Sequence, residues 1–406
     1  MNWLELAMAV RPLATLESHV DTAGRVLAVR PDKLLVWQPE LLDWLFRSDA
    51  QLCHTGGRSL TPLFGPRSLL WSEGSRHDAY RRVLGPPLRG KRLAERHDLI
   101  AGPVHLAIDD LAAGREADLL DWTRGIALRI IAGLLLGPVD DTLLAGVTDW
   151  ADKAFGARHR TLAYRYLFGG LPGPDPALER RLVRAAHGCA PPALAERLRH
   201  GPLAGIGDRE LRDAVVSLLF AGHETTAAGA AWTLYWLGRN ASIRHDVEAE
   251  LAATGSDGSN PAAVPLLQAV VLESLRLTPP ATLAGHRTVP EDRPAPGRDL
   301  AAGTTLTPAI YAAHRHPDAW PEPTRFDPGR FRQGRPLPQH YLPFGGGSRY
   351  CLGSQLALLE IRMIAAALLL RRRRWRLAGR AGRAGRLRGQ ILAPAGVTLR
   401  VPRCQR

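Results

Sequence analysis

A mainly α chain with a smaller β portion, folded as one large domain over residues 1–406, is the class this sequence predicts. Three observations predict it. Helical periodicity dominates from residue 75 to about 280. One segment, 209–240, is apolar on most faces and spans about 30 residues, roughly 45 Å of helix. Short β-like runs are confined to the first 60 residues and to the stretch after Pro279-Pro280, and no break in composition divides the chain.

The elements follow in order. "RVLAVR" and "KLLVWQ" read as strands within about 20–40, and "PELLDWLFRS" as a helix. "DLLDWTRGIALRIIAGLLLG" (118–137) is apolar enough to lie inside the fold. Asp208 is the expected N-cap of the long segment, with Glu210 in its first turn. "PLLQAVVLESLRL" (265–277) is a helix stopped by the double proline. Pro/Gly-punctuated β-like pieces fill about 281–310, and a helix covers about 352–372.

The net charge of +14 is carried almost wholly by arginine; the lysines are Lys33, Lys91 and Lys153. The densest run, 368–389, is expected to be a solvated surface segment rather than a nucleic-acid site. No stretch reaches ~18 uncharged apolar residues, and the start lacks a basic n-region, so no membrane span or signal peptide is expected and the chain is read as cytoplasmic. Cys53, Cys189, Cys351 and Cys404 are scattered without metal-like spacing, which argues against a disulfide framework.

Cys351 stands apart, inside "PFGGGSRYCLG" (343–353). Gly345, Gly346 and Gly347 let a backbone approach a flat ligand, because they carry no Cβ and accept positive φ. A cysteine just before a helix is placed to be a thiolate, and a thiolate is an axial ligand for haem iron. Arg349 can then pair with a haem propionate, and Gly353 keeps the first helical turn clear of the ring. The competing reading is a glycine-rich loop with an inert buried thiol.

The same stretch matches the pattern F-x-x-G-x-R-x-C-x-G through Phe344, Gly347, Arg349, Cys351 and Gly353, and the chain resembles the cytochrome P450 family. Further matches occur in the family's order over about residues 20–402. "AGHETT" (221–226) resembles the oxygen-activating motif, which implies that Thr225 serves bound oxygen and Glu224 relays protons. Ala221 and Gly222 would leave a gap beside the helix there. "ESLR" implies a structural triad of Glu273, Arg276 and, from "PTRF", Arg325. "RHDAYRR" puts His77 and Arg81 at i, i+4, matching residues that grip propionates, and one of His286 or Arg287 is expected to join them. "RGQILAPAGVTLRV" resembles a C-terminal β hairpin at about 388–402.

The resemblance implies a P450 fold with haem b between the long helix and the helix after Cys351. Phe344 and Gly345 join Arg349 and Gly353 in the loop that holds it. It implies O2 as co-substrate and monooxygenation of a hydrophobic small molecule, in specialised metabolism. Electrons would come from a ferredoxin or flavodoxin with its NAD(P)H-dependent reductase. The expected pocket comprises Leu218, Ala221, Gly222, Ala281, Thr282, Leu283, Ile391 and Leu392, covered by the loop between Leu60 and Leu70. Ring coupling or nitration, a haem sensor and a nucleic-acid binder are the weaker readings.

Overall fold

A computed structural model describes residues 2–54, 60–111, 115–156, 158–332, 334, 336–372, 374–379, 386–388 and 391–402. The predicted helices are present with small shifts at their ends. The long one, here the central helix, is Asp208–Arg239. Its N-cap is Gly207, so Asp208 is the first helical residue rather than the cap. Packed along it are the cross helix, Leu119–Leu136, the helix Pro265–Leu277 and the cysteine helix, Ser354–Arg371. All four bury most of their residues, so the core is built around the central helix.

Where helices touch, glycine sets the spacing. A Cβ at Gly222 would lie 2.6 Å from Ile131 Cγ1 of the cross helix, and one at Gly229 would lie 2.9 Å from Ile361 Cδ1 of the cysteine helix. The gap expected beside Gly222 is therefore filled by Ile131. Gly222 is a helix-packing residue, and the space it was expected to leave for ligand does not exist on that face.

The main sheet has the order Val26–Arg30, Lys33–Val36, Thr305–Pro308, Arg287–Thr288. The second and third strands run parallel, with Leu34 opposite Leu306. It joins the two ends of the expected β portion. Three smaller sheets complete it, including the hairpin Arg386–Arg388 with Ile391–Ala393. Thr398–Arg400 pairs with Arg376–Ala378 on one side and Glu116–Asp118 on the other. The strand Glu116–Asp118 falls in the region expected to be helical. Its three residues are held by a partner nearly 300 residues away, a pairing that local pattern does not carry.

Two helices precede the first strand, Trp3–Val10 and Pro12–Ser18. The first is signalled by a capping box: the Asn2 side chain accepts from Glu5 N at 2.8 Å, and Asn2 N donates to Glu5 Oε2 at 2.9 Å. No single helix among the described residues is long and apolar enough to cross a membrane. Cys404 lies outside the described residues.

Candidate haem site

The cysteine loop is a short tight turn followed by a helix start. Cys351 N donates to Phe344 O at 2.9 Å, which closes the loop, and the single helical turn Gly347–Arg349 lies inside it. Gly345 and Gly347 have φ of +69° and +67°, where only glycine is unstrained. The close approach that demands glycine comes from the N-terminal region. A Cβ at Gly346 would lie 2.6 Å from the Phe46 ring, and one at Gly347 would lie 2.7 Å from Asp49 Oδ2. At Gly353 an added Cβ meets nothing within 4 Å, so that position faces open space as expected.

Cys351 is exposed, yet the protein packed around its thiol is the main influence on it and pushes the pKa up. The Gly353 N–H and the Arg81 guanidinium act the other way but do not outweigh burial. A coordinating metal would reverse that direction, because it deprotonates a bound thiol outright.

His77, Arg81 and Arg349 gather beside the cysteine loop. Burial, then Arg349 and Arg81, lower the His77 pKa, so the three basic groups are within electrostatic reach of one another. Arg81 donates to Tyr350 O at 2.9 Å. Arg349 donates through one NH2 to Ser72 O at 2.7 Å and to Glu73 Oε2 at 2.9 Å. Its Nε is buried with no hydrogen-bond partner among the described residues. An unpartnered buried donor in a cluster of cations, two residues from an exposed cysteine, fits a flat metal macrocycle that carries two carboxylates.

The two residues of "HR" separate cleanly. Arg287 is buried and spent on protein groups: Nε to Asp49 Oδ1 at 2.9 Å, NH1 to Gly285 O at 2.8 Å and NH2 to Gly346 O at 3.0 Å. It ties the main sheet to the cysteine loop. His286 bonds Thr307 Oγ1 at 2.7 Å through Nδ1 and remains exposed, while burial and the Lys33, Arg165 and Arg287 charges lower its pKa.

Beneath the loop, Glu273 and Arg276 form a bidentate pair at 2.7 and 2.8 Å, and neither side chain is exposed. Arg276 also donates to His314 O, Pro323 O and Arg325 O. His314 Nε2 accepts from Leu342 N at 2.7 Å, just before the loop. The expected third member, Arg325, is not there. Its side chain is 63% exposed and pairs with Glu322; only its carbonyl reaches Arg276. Arg330 supplies the cation, with Nε 3.5 Å from Glu273 Oε1. "PTRFDPGRF" offers two arginines, each before a phenylalanine, and the turn at Asp327–Gly329 aims the second inward.

On the central helix, Ala221 and Thr225 lie one turn apart on a face that is not closed by packing. Thr225 Oγ1 donates to Ala221 O at 2.6 Å. Glu224 is buried and clamped by Arg124 Nε and Arg388 Nε, each at 3.0 Å. Burial works to raise its pKa, but His223, Arg124 and Arg388 lower it overall. His223, with a pKa lowered to about 4 by its own burial, is neutral at neutral pH, so the two arginines hold the charge. Both arginines also meet the half-exposed Asp152.

The remaining pocket residues converge on the central helix. Ala281 bridges Ile391, Leu392 N donates to Pro280 O, and Trp232 Nε1 donates to Leu392 O. Ala281 and Leu283 are half-buried; Leu218, Thr282, Ile391 and Leu392 are buried. The loop from Leu60 to Leu70 is pinned to the helix by Asp213, which accepts from Arg67 N at 2.9 Å, and by Ser68 with Ser217 at 2.7 Å. Sequence reasoning missed Phe46, Asp49, Glu73, Asp213, Arg124 and Arg388. All act across more than 80 residues of chain, so no local motif marks them.

A family profile for cytochrome P450 matches residues 193–380. The chain is 30% identical to cytochrome P450 135B1 of Mycobacterium tuberculosis, over 82% of this chain and 74% of that protein. It is equally similar, at 30%, to the cyclooctat-9-en-7-ol 5-monooxygenase of Streptomyces melanosporofaciens, over 76% and 72% of the two chains. Among solved structures, a six-coordinated cytochrome P450 from Thermus thermophilus superposes with a TM-score of 0.74 at 26% identity, covering 97% of this chain and 98% of that one. A retinoic acid-bound cyanobacterial P450, CYP120A1, gives 0.80 at 22% identity, over 98% and 97%, a likeness of fold.

Proposed function

The chain belongs to the cytochrome P450 family and is a haem-thiolate monooxygenase, and from that premise we propose that it hydroxylates or epoxidises a hydrophobic small molecule in specialised metabolism. The observation that carries the site assignment is the exposed Cys351 two residues after Arg349, whose Nε is buried without a partner among the described residues. The cofactor is haem b. Cys351 is its thiolate ligand, and His77, Arg81, Arg349 and His286 hold the propionates. Arg287 braces the loop instead. The whole chain works as a single domain, in the cytoplasm.

Bound haem supplies the activation of O2: one oxygen atom enters a C–H or C=C bond, and the other leaves as water with two electrons and two protons. The chain's own residues bring the protons and shape the pocket. Thr225 spends its hydroxyl proton on Ala221 O, so its lone pairs are left to accept from water. It passes a proton on only by breaking that bond. Glu224 is ionised at rest; to move a proton inward it must let go of Arg124 or Arg388. Asp152, half-exposed and shared by both arginines, links that carboxylate to solvent.

The relative named for cyclooctat-9-en-7-ol supports hydroxylation of a hydrophobic substrate. For the redox partner, an acidic ferredoxin or flavodoxin fits the exposed Arg82, Arg89, Lys91 and Arg92. Gly90 N donates to Gln355 Oε1, four residues after Cys351, which sets this patch against the cysteine helix. The 371–374 run is the weaker candidate, because Arg371 and Arg372 are bonded to Asp109, Ile108 and Leu111.

The test is turnover of the haem-loaded chain with a surrogate ferredoxin and reductase under isotopically labelled dioxygen, on a substrate chosen by spin-state shift. One labelled oxygen in the product is expected. A reducible, substrate-binding protein that incorporates none would overturn the proposal.

A further inference from the structure

We infer that His54 is a positioning residue for the cysteine loop: its ring and backbone bridge Asp49 to Glu73, the two carboxylates that hold Ser348 and Arg349. The inference rests on the haem-thiolate reading of that loop.

The contacts form one chain. His54 is buried. Its Nε2 lies 2.8 Å from Asp49 Oδ1, its Nδ1 lies 3.2 Å from Glu73 Oε2, and its backbone N–H donates to Glu73 Oε1 at 2.5 Å. Asp49 Oδ2 accepts from Ser348 N at 2.8 Å and from Ser348 Oγ at 2.6 Å. Glu73 Oε2 accepts from Arg349 at 2.9 Å. Two consecutive residues, two and three positions before Cys351, are thus tied to the two ends of one imidazole.

Ionised carboxylates only accept hydrogen bonds. Asp49 is ionised: burial works against it, but His54, Arg287 and Ser348 hold its carboxyl well below the usual range. Each ring nitrogen faces one of the two carboxylates, so the imidazole spans the gap between them, and the half-exposed Glu73 end is the more easily released. The charged groups around the ring are Asp49 and Glu73 in contact, with Arg287 and Arg349 behind them. The bridge therefore decides where Arg349 is held. The bridge thereby sets how its unpartnered Nε is presented.

Two readouts test this. In histidine-labelled full-length chain, with and without haem, the ring nitrogen signals of His54, assigned through His54→Gln, should move on Glu73→Gln. Signals that do not respond would overturn the bridge. In the haem-loaded chain, His54→Phe should speed haem loss to apomyoglobin by about tenfold or more, the usual scale for outer partners of a bound metal. The same substitution should add little once Arg349→Gln is present. An equal effect in both backgrounds would show that His54 does not act through Arg349. If His54→Phe does not fold, Glu73→Gln makes the same comparison. A chain that takes up no haem would sink the haem-thiolate reading itself, while the nitrogen shifts would still judge the bridge.

Discussion

Glu273 and Glu224 are both buried carboxylates clamped by arginine, and they are wired differently. The Glu273–Arg276 pair is sealed. Both side chains are 0% exposed, and every Arg276 bond ends on a carboxylate or carbonyl of the protein. The Glu224 network leaks to water: its arginines also hold Asp152, which is 47% exposed, and Arg124 reaches Asp121, which is 67% exposed. A sealed network can only hold its place, and it lies under the loop that must not move. An open one can rearrange, and it lies beside Thr225, for which proton exchange is proposed. Under that proposal one ion-pair chemistry serves as a brace in the first case and as a route in the second, and access to solvent separates them.

The largest effect should come from breaking the sealed network. Glu273→Gln leaves Arg276 buried without its counter-charge, a loss of ~3–5 kcal/mol. Denaturant unfolding of the haem-loaded chain should show it, along with poor haem uptake. A loss no greater than that of a surface substitution would erase the contrast.

Acid should act on the Glu224 side. His223 is buried and neutral, its pKa lowered from 6.5 to about 4 by burial, so the unfolded chain binds its proton first. Stability should fall as pH drops from about 6.5 toward about 4, by up to about 3 kcal/mol. His223→Leu should flatten that slope in a pH series of thermal unfolding. An unchanged slope would place the acid sensitivity elsewhere.

Smaller again is the effect of opening one side of the leaky network. Arg388→Gln leaves Arg124 on Glu224 and water on Asp152, so it should cost about 1–2 kcal/mol, well below Glu273→Gln. Equal losses would mean that the Glu224 network is sealed as well. The smallest effect separates the two arginines of "PTRFDPGRF". Arg325→Ala should stay within ~0.5 kcal/mol, as exposed pairs do, while Arg330→Ala should cost more. The reverse order would restore Arg325 to the triad.

These networks also mark what could be read in the chain. The long helix, the double-proline stop, the cysteine loop and the Glu273–Arg276 pair are local, carried by periodicity or by spacings of three and four. The partners that complete them are distant: Asp49 lies 238 residues from Arg287, Arg388 lies 164 from Glu224, and Glu73 lies 276 from Arg349. Local pattern ranks neither His286 over Arg287 nor Arg330 over Arg325; packing decides both. Gly222 and Gly346 read as room for a ligand, and the room proves to belong to Ile131 and Phe46. A glycine signals a close approach without saying by what.

The central claim is that Cys351 is the thiolate ligand of the haem. Its most direct test is the absorption spectrum of the dithionite-reduced, carbon monoxide-bound protein. A Soret band at the strongly red-shifted position of thiolate ligation is predicted, and it should be lost in Cys351→Ser. A haem-free spectrum after haem supplementation, or a histidine-like Soret band in the wild-type chain, would contradict the account.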